Sequence, residues 1–360
     1  MKKCVIITNH SYMLWRFRRE LILRIAEECE VVILTPFVGH ENDFKKLGIR
    51  CIEVDVDRRS LNPVKDLKLM ETYKKALKSE KADMVITYSI KPNIYGGLAA
   101  VSLGIPYFAN VQGLGSAFQK KGVRAVVTLL YKIALRKAKG VFFENEESAE
   151  LFVEKRIIPR EKTVVMKGAG INLSDYAVSK YPENDSFRFL YLGRIMKEKG
   201  IDELFGAMKE LRKKYGDKVV LDIVGFFEDE YKERIEELCS DGVAAFHGFK
   251  EDPRPFYERA DCVVLPSWHE GMSNVLLEAA AMGRPLITGD IPGCREAVED
   301  GKTGLLCKPK DAESLYSAMC RMADTPAFER EKMGMLGRIK MENEFSREKV
   351  VERSVKVLLG

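Results

Sequence analysis

Two glutamates eight residues apart carry the most specific chemical signal in this sequence. They bound the segment EGMSNVLLE, from Glu270 to Glu278, which follows the apolar run CVVLPS within a few residues. The second half of the segment has the composition of a helix start, where Ser273 or Asn274 can cap the helix amides. Gly271 lets the backbone approach a ligand closely, and the exposed N–H groups of a helix start attract anions. The segment therefore predicts an anionic ligand beside two carboxylates, or else an ordinary helix with solvated glutamates.

A second group of charges lies in the segment GRIMKEKG, residues 193–200, directly after the apolar run FRFLYL. Ligands of parallel α/β sheets bind at the carboxyl ends of the strands, and this position places Arg194 and Lys199 there. The forked guanidinium of an arginine and the point charge of a lysine together suit a diphosphate. Taken alone, the segment fits a solvated basic loop equally well.

Several cofactor motifs are missing from the sequence. The loop after the first strand reads TNHS rather than GxGxxG, and no GxxxxGK[ST] occurs, so neither a nicotinamide enzyme nor a P-loop kinase is indicated. The eight cysteines stand at least 13 residues apart, which excludes zinc spacing and indicates buried thiols in a reducing cytosol. Asp55 and Asp57 end a strand, but Arg58 and Arg59 follow them and neutralise the pair. We therefore predict no metal and no cofactor.

Charge is distributed unevenly along the 360 residues, of which 46% are hydrophobic and 31% are charged. That composition is typical of a soluble globular protein with enough apolar material for two cores. Residues 1–180 contain 31 Lys/Arg and 20 Asp/Glu, whereas residues 181–360 contain 28 and 34. The halves therefore differ in charge, as two domains with different partners do.

The most basic segment, residues 84–143, contains eight Lys/Arg and no acidic residue. It includes the amphipathic pattern RAVVTLLYKIALRKAKG, whose charge predicts a surface that docks on anionic lipid, or a core helix whose basic end suits the helix dipole. We expect no nucleic-acid partner, because the second half is acidic and no DNA- or RNA-binding motif occurs. The pattern shows neither a secretory signal nor a membrane-spanning run.

Short apolar runs alternate with helical patterns along the whole chain. The runs CVIIT, VVILT, MVITY and CVVLP have the β-branched character of buried strands, which is typical of parallel βαβ units. A polar stretch interrupts the alternation once, so we predict two doubly wound, Rossmann-like α/β domains that face a central cleft. The predicted boundaries are 1–170 for the N-terminal domain, 171–185 for a linker, 186–340 for the C-terminal domain and 341–360 for a last helix that packs back on the N-terminal domain.

The segments GRIMKEKG and EGMSNVLLE, in this order, resemble the donor-site motifs of the glycosyltransferases of family GT4. That family has the GT-B fold, and its members are retaining enzymes that use nucleotide sugars. The segments NHSYMLWRFR and NVQGLG are similar to those of the subgroup that builds bacterial lipid-linked oligosaccharides, capsules and O-antigens. The resemblance covers nearly the whole chain in architecture and is most specific in its second half.

This resemblance implies an activity and a set of site residues. The activity is the transfer, with retention, of a hexose or N-acetylhexosamine from a UDP-sugar to a glycan acceptor on polyprenyl diphosphate, in surface polysaccharide or glycoprotein glycan assembly. Arg194 and Lys199 would hold the donor diphosphate and act in catalysis with Glu270, and Glu278 would accept hydrogen bonds from the ribose hydroxyls. The other implied donor-binding residues are Gly193, Phe249, Lys250, Gly271, Met272, Ser273, Asn274 and Val275. Such an enzyme works in the cytoplasm, peripherally at the membrane face.

The acceptor side is expected in the N-terminal domain, and the residues assigned to it are Asn9, His10, Ser11, Gln112 and Gly113. Many GT4 members carry a His in the loop that corresponds to residues 110–115, and this sequence has none there. The role of that His would fall to Gln112, to a backbone group or to nothing. Two other functions stay open: a nucleotide-sugar 2-epimerase of GT-B fold and a non-catalytic protein that binds sugar nucleotides.

Overall fold

The computed structural model describes residues 1–57, 62–113 and 121–360. The chain forms two compact units, of which the first contains Met1–Ala169 and Lys349–Gly360 and the second contains Gly170–Glu348. Arg58, Arg59, Lys120 of the basic segment and the last two residues of NVQGLG lie outside the described residues.

Seven parallel strands form the sheet of the first unit, in the order β3-β2-β1-β4-β5-β6-β7. The strands are β1 (Lys2–Ile7), β2 (Cys29–Thr35), β3 (Arg50–Glu53), β4 (Met84–Tyr88), β5 (Tyr107–Val111), β6 (Gly140–Phe143) and β7 (Thr163–Val165). β1 pairs with both β2 and β4, and Ile7 lies opposite Leu34 and Thr87. The strand order reverses between β1 and β4, which makes this the switch point of the sheet, where ligand crevices open at the carboxyl ends of strands.

Both faces of this first sheet are buried. Val5 and Ile7 of β1 belong to one apolar cluster, whereas Cys4 and Ile6 belong to another, because successive side chains of a strand point to opposite faces. This explains why the strand reads as an unbroken apolar run. The helices that cover the sheet are α1 (Ser11–Ala26), α2 (Glu41–Lys46), α3 (Pro63–Glu80), a π-helix (Pro92–Gly96), α4 (Gly97–Ser102), α5 (Lys121–Leu135) and α6 (Glu146–Glu154).

Six parallel strands form the sheet of the second unit, in the order β10-β9-β8-β11-β12-β13. The strands are β8 (Phe187–Leu192), β9 (Val219–Val224), β10 (Ala244–Phe246), β11 (Cys262–Leu265), β12 (Leu286–Gly289) and β13 (Gly304–Cys307). The order reverses between β8 and β11, so the loops after these two strands lie at the switch point of the second sheet. The prediction of two doubly wound parallel sheets is confirmed.

The helices of the second unit follow its strands, and the chain ends in two helices rather than one. They are α7 (Ile201–Tyr215), α8 (Lys232–Ser240), α9 (Arg254–Arg259), α10 (Asn274–Ala281), α11 (Ala312–Asp324) and α12 (Ala327–Glu344), and the last helix of the chain is α13 (Arg347–Leu359). The sequence predicts the last helix over 341–360, but residues 341–344 end α12, and α13 begins only at Arg347 because of a contact with Ile171. Its N–H donates to the Phe345 carbonyl (2.7 Å), and its carbonyl accepts from the Arg347 N–H (3.0 Å). A distant backbone segment thus takes over hydrogen bonds that a continuous helix would make.

The stretch predicted as a linker, residues 171–185, forms no helix or strand but packs on the second unit. The Tyr181 hydroxyl donates to the Asp261 carbonyl (2.7 Å), and the Asn184 side-chain amide donates to the Asp261 carboxylate (2.8 Å). The buried guanidinium of Arg284 donates to the carbonyl of Lys180 (2.7 Å). Side-chain and backbone hydrogen bonds thus fix this stretch on the second unit although it forms no helix or strand.

Candidate functional site

The loops after β8 and β11 are in direct contact at the switch point of the second unit. Gly200 ends the first loop with a φ of +73°, and a Cβ at this position would lie 2.1 Å from the Pro266 carbonyl oxygen. The backbone N–H of Trp268 donates to the Glu198 carbonyl (2.9 Å) and forms a second link between the two loops. Only glycine allows this approach, because any larger residue would meet backbone rather than a mobile side chain. The contact brings the GRIMKEKG segment beside the loop that leads into EGMSNVLLE.

Lys199 and Glu270, which the sequence analysis assigned to separate motifs, form an ion pair across this contact. The Lys199 Nζ donates to Glu270 Oε1, and the Ser267 hydroxyl donates to the same oxygen at 2.8 Å. The two side chains are only 15% and 13% exposed. A largely buried charge requires such partners. The Glu270 carboxylate is therefore held in one orientation, with its charge balanced by a cation that also faces the switch point.

Three titratable groups close to Glu270 are neutral at pH 7. Burial, and then the negative charge of Glu270, raises the pKa of the Tyr191 hydroxyl and of the Cys294 thiol. Burial lowers the pKa of His269 below its usual value, against the opposing effect of Glu198. Tyr191, Cys294 and His269 therefore add no charge beside the Lys199–Glu270 ion pair.

Arg194 lies at the solvent edge of the same loop. Its side chain is 45% exposed, and its guanidinium lies 3.9 Å from the Glu228 carboxylate. Its carbonyl accepts a hydrogen bond from the Tyr191 hydroxyl (2.6 Å), which fixes the backbone while the side chain extends outward. Gly193 precedes it with a φ of +151°, and a Cβ on Gly225 of the next loop would lie 1.8 Å from the Gly193 oxygen. The loops after β8 and β9 therefore pack backbone to backbone.

The start of helix α10 follows Glu270 and is capped by Ser273. The Ser273 Oγ accepts from the Leu276 N–H (3.4 Å), and the Ser273 N–H donates to the Gly293 carbonyl (2.8 Å). Gly293 has a φ of +84°, and a Cβ there would lie 2.4 Å from the Gly271 oxygen. Of the two caps that the sequence allowed, the structure selects Ser273, and Asn274 is the first residue of the helix. The first amides of the helix, those of Asn274 and Val275, have no carbonyl one turn earlier to bond, as at any helix start.

Glu278 lies one turn into α10 and is buried, with 4% of its surface exposed. The Tyr257 hydroxyl donates to its Oε2 at 2.9 Å. Tyr257 lies on α9 and is itself fully buried. No spacing in the sequence links these two residues, which come from different helices, so the sequence analysis missed Tyr257. The carboxylate is thereby oriented before any ligand binds it.

Two exposed phenylalanines extend from the loops after β9 and β10. The rings of Phe226 and Phe249 lie 6.1 Å apart in an edge-to-face arrangement, and Phe249 is 54% exposed. The Gly225 N–H donates to the Gly248 carbonyl (3.0 Å), which holds the two loops together. Phe249 and the exposed Lys250 are among the residues expected from the sequence, whereas Phe226 is not. The repeated Gly-Phe dipeptide at the ends of two strands was the signal that could have found it.

A cation lies over the face of Trp268 in the loop after β11. The Lys310 Nζ is 4.7 Å from the centre of the Trp268 ring. Lys310 follows β13 and adopts a φ of +62°, which is uncommon outside glycine. This cation–π contact ties the loop after β13 to the loop that carries Glu270. Neither residue was assigned a role from the sequence.

The residues assigned to the acceptor side lie at the carboxyl ends of β1 and β5 in the first unit. The Asn9 Oδ1 accepts from the Ser89 hydroxyl (2.9 Å), and the Gln112 amide donates to the Met13 sulfur (3.4 Å). Gly113 follows with a φ of +137°. Both loops lie at the carboxyl end of the first sheet, where β4 separates β1 from β5.

His10 and Ser11 connect β1 to helix α1. The His10 ring lies 6.2 Å from the Tyr12 ring. The Ser11 side chain is fully buried, where its hydroxyl donates to the Gly39 carbonyl (3.0 Å) and accepts from the Val38 N–H (2.8 Å). Ser11 therefore holds the loop after β2, and any effect of this residue on an acceptor is exerted through that loop.

A buried ion pair joins α1 to the end of β6 in the first unit. Arg18 donates to Glu144 at 2.8 Å and lies 5.6 Å from the ring of Tyr88. A cavity of about 20 Å³ beside them has room for about one water molecule. Burial raises the pKa of Tyr88 to about 12, so it is neutral at physiological pH. This cluster was not anticipated from the sequence.

Residues 1–57, 62–113 and 121–360 contain no group of three or more His, Cys, Asp or Glu side chains that could hold a metal ion. At the second switch point, Lys199 and Arg194 supply positive charge that could face an anionic ligand. The donor set there, an ammonium group, a guanidinium group and a helix start, suits phosphate oxygens.

Comparison with known proteins identifies the family. Residues 186–325 match the model of the glycosyl transferases group 1, and residues 14–168 match that of the glycosyl transferase 4-like domain. A Campylobacter jejuni N,N'-diacetylbacillosaminyl-diphospho-undecaprenol alpha-1,3-N-acetylgalactosaminyltransferase is 30% identical over 86% of each chain. An Escherichia coli UDP-Gal:alpha-D-GlcNAc-diphosphoundecaprenol alpha-1,3-galactosyltransferase is 26% identical over 85% of this chain and 83% of its own. The chain belongs to the GT4 family of glycosyltransferases, as the sequence motifs predicted.

The solved structures agree with this assignment at the level of the fold. Anabaena HepE, solved in complex with UDP and glucose, superposes with a TM-score of 0.80 over 99% of both chains, at 15% identity. The sucrose-phosphate synthase of Thermosynechococcus elongatus gives a TM-score of 0.77 over 99% of this chain and 98% of its own, at 20% identity. The GT-B fold is therefore confirmed, and the protein is a hexosyltransferase of that fold.

Proposed function

We propose that the protein transfers a hexose or N-acetylhexosamine, with retention, from a UDP-sugar to a glycan carried on polyprenyl diphosphate. The observation that carries the proposal is the Lys199–Glu270 pair at the switch point of the second unit, directly before the capped start of α10. The names of two relatives specify acceptors on undecaprenol diphosphate, which supports the lipid-linked acceptor. Surface polysaccharide or glycoprotein glycan assembly is the process in which such an acceptor would be used.

In the proposed reaction, the bond between the anomeric carbon and the β-phosphate oxygen breaks, and its electron pair leaves with UDP. The acceptor oxygen attacks the same face of the sugar, and its proton passes to the departing phosphate. Lys199, Arg194 and the first amides of α10 stabilise the negative charge that develops on that phosphate. Glu270, fixed by Lys199 and Ser267, orients the sugar and need not act as a nucleophile.

The nucleoside half of the donor would bind farther along the same sheet edge. Phe249, supported by Phe226, offers an exposed aromatic surface on which a uracil ring can pack, beside Lys250. Glu278, oriented by Tyr257, offers a carboxylate that can accept hydrogen bonds from the ribose hydroxyls. Gly193, Gly271 and Met272 would contribute backbone contacts.

One assay separates this function from the alternatives. The protein is incubated with UDP-sugars, and release of UDP is measured with and without GlcNAc-diphosphoundecaprenol as acceptor. A transferase releases UDP faster with the acceptor and yields an extended lipid with retained configuration. A 2-epimerase converts the UDP-sugar without any acceptor, and a non-catalytic binding protein changes neither substrate, so either result would refute the proposal.

A membrane surface would present such an acceptor, and helix α5 has the features of a docking element. Its exposed face carries three apolar side chains, each 54–58% exposed, at helical spacing: Val126, Leu129 and Ile133. Arg124 and Lys132 flank them and line an adjacent groove with Lys155. No helix in the described part of the chain is long and apolar enough to span a bilayer. We propose that this face docks peripherally on anionic lipid at the cytoplasmic side of the membrane.

Liposome sedimentation tests this docking with a matched control. Replacing Val126, Leu129 and Ile133 by Ser should weaken binding to vesicles that contain phosphatidylglycerol, because apolar insertion and charge act together. As the control, three of the exposed apolar residues of α12 in the second unit are replaced by Ser, and binding should be unchanged; these residues are Phe328, Met335 and Ile339. Raising the salt concentration should weaken binding of the wild type. Binding that is insensitive to lipid charge and salt, or equally sensitive to both sets of replacements, would contradict the proposal.

A further inference from the structure

Three energetically unfavourable features lie together at the switch point of the first unit. The hydroxyl of Thr8, directly after β1, is fully buried and has no hydrogen-bond partner within residues 1–57, 62–113 and 121–360. Ser89, directly after β4, has a φ of +75°, and a π-helix at Pro92–Gly96 follows it. Each feature carries a cost, and positive φ values and π-turns are frequent at functional sites. When several energetically unfavourable features occur at one point of a fold, they indicate that function requires them.

The surroundings of Ser89 enforce its strained backbone. The Thr87 hydroxyl donates to Asn93 Oδ1 (2.7 Å), and the Asn93 amide donates to the Asn110 carbonyl (2.8 Å). The Asn93 N–H also donates to the Ser89 carbonyl (2.9 Å). The π-helix packs so closely that a Cβ on Gly96 would lie 3.1 Å from Ile7. Ser89 therefore keeps its orientation through contacts on β1, β4 and β5 rather than through its own conformational preference.

Ser89 and Asn9 together present one hydrogen-bond donor and one acceptor. The Ser89 Oγ donates to Asn9 Oδ1 at 2.9 Å, and both side chains are half-buried, so a ligand can reach them. With Oδ1 engaged, the Asn9 amide nitrogen is left to donate outward, and Ser89 Oγ has a lone pair left to accept. An adjacent donor and acceptor complement a hydroxyl group, which both accepts and donates.

The charge at this position favours a neutral ligand group. Lys91, two residues after Ser89, is largely buried and ion-paired to Asp66 at 2.7 Å, and the Tyr95 hydroxyl donates to the other Asp66 oxygen (2.9 Å). The lysine is thereby held away from an anionic ligand. The Asn9–Ser89 pair carries no formal charge and suits a sugar hydroxyl better than a phosphate.

We infer that Asn9 and Ser89 bind a hydroxyl group of the acceptor sugar and so form an acceptor subsite at the switch point of the first unit. The inference rests on the proposed transferase function and adds Ser89 to the predicted acceptor residues. The strained backbone of Ser89 serves to aim its hydroxyl at Asn9 and at the ligand. A glycine would relieve the strain but could not supply the hydroxyl.

Four variants test the subsite: Ser89→Ala, Ser89→Gly, Asn9→Asp, and Ser102→Ala as a control serine on α4 whose hydroxyl bonds within its own helix turn. The measurements are KM for GlcNAc-diphosphoundecaprenol, KM for the UDP-sugar, acceptor-independent UDP release and the midpoint of thermal unfolding. Binding of methyl N-acetylglucosaminide is also titrated by NMR. The first three variants should raise the acceptor KM and weaken NMR binding about three- to tenfold, as loss of one hydrogen bond does.

The other readouts distinguish binding from structure. UDP-sugar KM should stay within twofold of wild type in all four variants, and Ser102→Ala should leave every readout, including acceptor-independent UDP release, unchanged. Ser89→Gly should raise the unfolding midpoint while still weakening acceptor binding, which would separate the loss of binding from any loss of stability. The inference would be overturned if both Ser89→Ala and Asn9→Asp kept the acceptor KM and the NMR binding within twofold of wild type. That result would leave the proposed function intact. A wild type that neither cleaves UDP-sugars nor transfers sugar would refute the proposed function, and the NMR titration would still decide whether the subsite exists.

Discussion

Replacing Gly200 by Ala should damage both the stability and the donor binding of the second unit. The new Cβ would lie 2.1 Å from the Pro266 carbonyl oxygen, so the loops after β8 and β11 must separate by about 1 Å before the contact becomes tolerable. The left-handed backbone of residue 200, with its φ of +73°, adds about 1–2 kcal/mol for a residue with a Cβ. Forced displacement in a packed region adds roughly 1–3 kcal/mol more.

The control is Gly242→Ala. Gly242 follows α8 with a φ of +66°, and a Cβ there would lie 3.5 Å from the end of the mobile Arg212 side chain, an ordinary van der Waals contact. This variant therefore carries only the cost of the left-handed backbone, about 1–2 kcal/mol. The difference between the two variants isolates the contact of the two loops.

The assay combines thermal unfolding with UDP calorimetry and steady-state kinetics. Gly200→Ala should unfold at a clearly lower temperature than Gly242→Ala. Because Lys199 and Glu270 lie on the two separated loops, its kcat/KM should fall on the order of 10²-fold, as misplacement of catalytic groups by about 1 Å does. Gly242→Ala should keep near-normal kcat/KM. Equal unfolding temperatures and equal activities in the two variants would refute the inferred contact and its role in positioning the ion pair.

Three further predictions concern the donor site. Arg194→Ala should lower kcat/KM about 10²- to 10³-fold with an unchanged unfolding midpoint, because the side chain is exposed and acts on the departing phosphate; near-normal turnover of the folded variant would remove this role. Glu278→Gln should weaken UDP binding more than it changes the choice of sugar, since it alters a buried carboxylate that Tyr257 orients; calorimetry with unchanged UDP affinity would contradict the assignment. Activity should persist in excess EDTA, because lysine, arginine and a helix start supply the positive charge; loss of activity that Mn²⁺ or Mg²⁺ restores would show a metal requirement.

The local sequence determined the helices and strands of this protein and the strand ends at which its ligands are expected. Unbroken apolar runs such as CVII predicted parallel strands buried on both faces, because a strand covered by helices has no polar face. The segments GRIMKEKG and EGMSNVLLE could be placed after strands, which put Arg194, Lys199 and Glu270 at carboxyl ends. Their spacing also carried the family resemblance. These features depend on residues that lie close together in the chain, and for that reason they could be predicted from the sequence.

Only the tertiary structure decided which of these residues meet. The Lys199–Glu270 pair, the Tyr257 bond to Glu278 and the Ser89 bond to Asn9 each join residues that are far apart in sequence. Strand order brings them together, and strand order follows from how two sheets bury their faces rather than from any local pattern. The same holds for Gly200, whose necessity comes from a carbonyl oxygen 66 residues farther along the chain and not from its own turn.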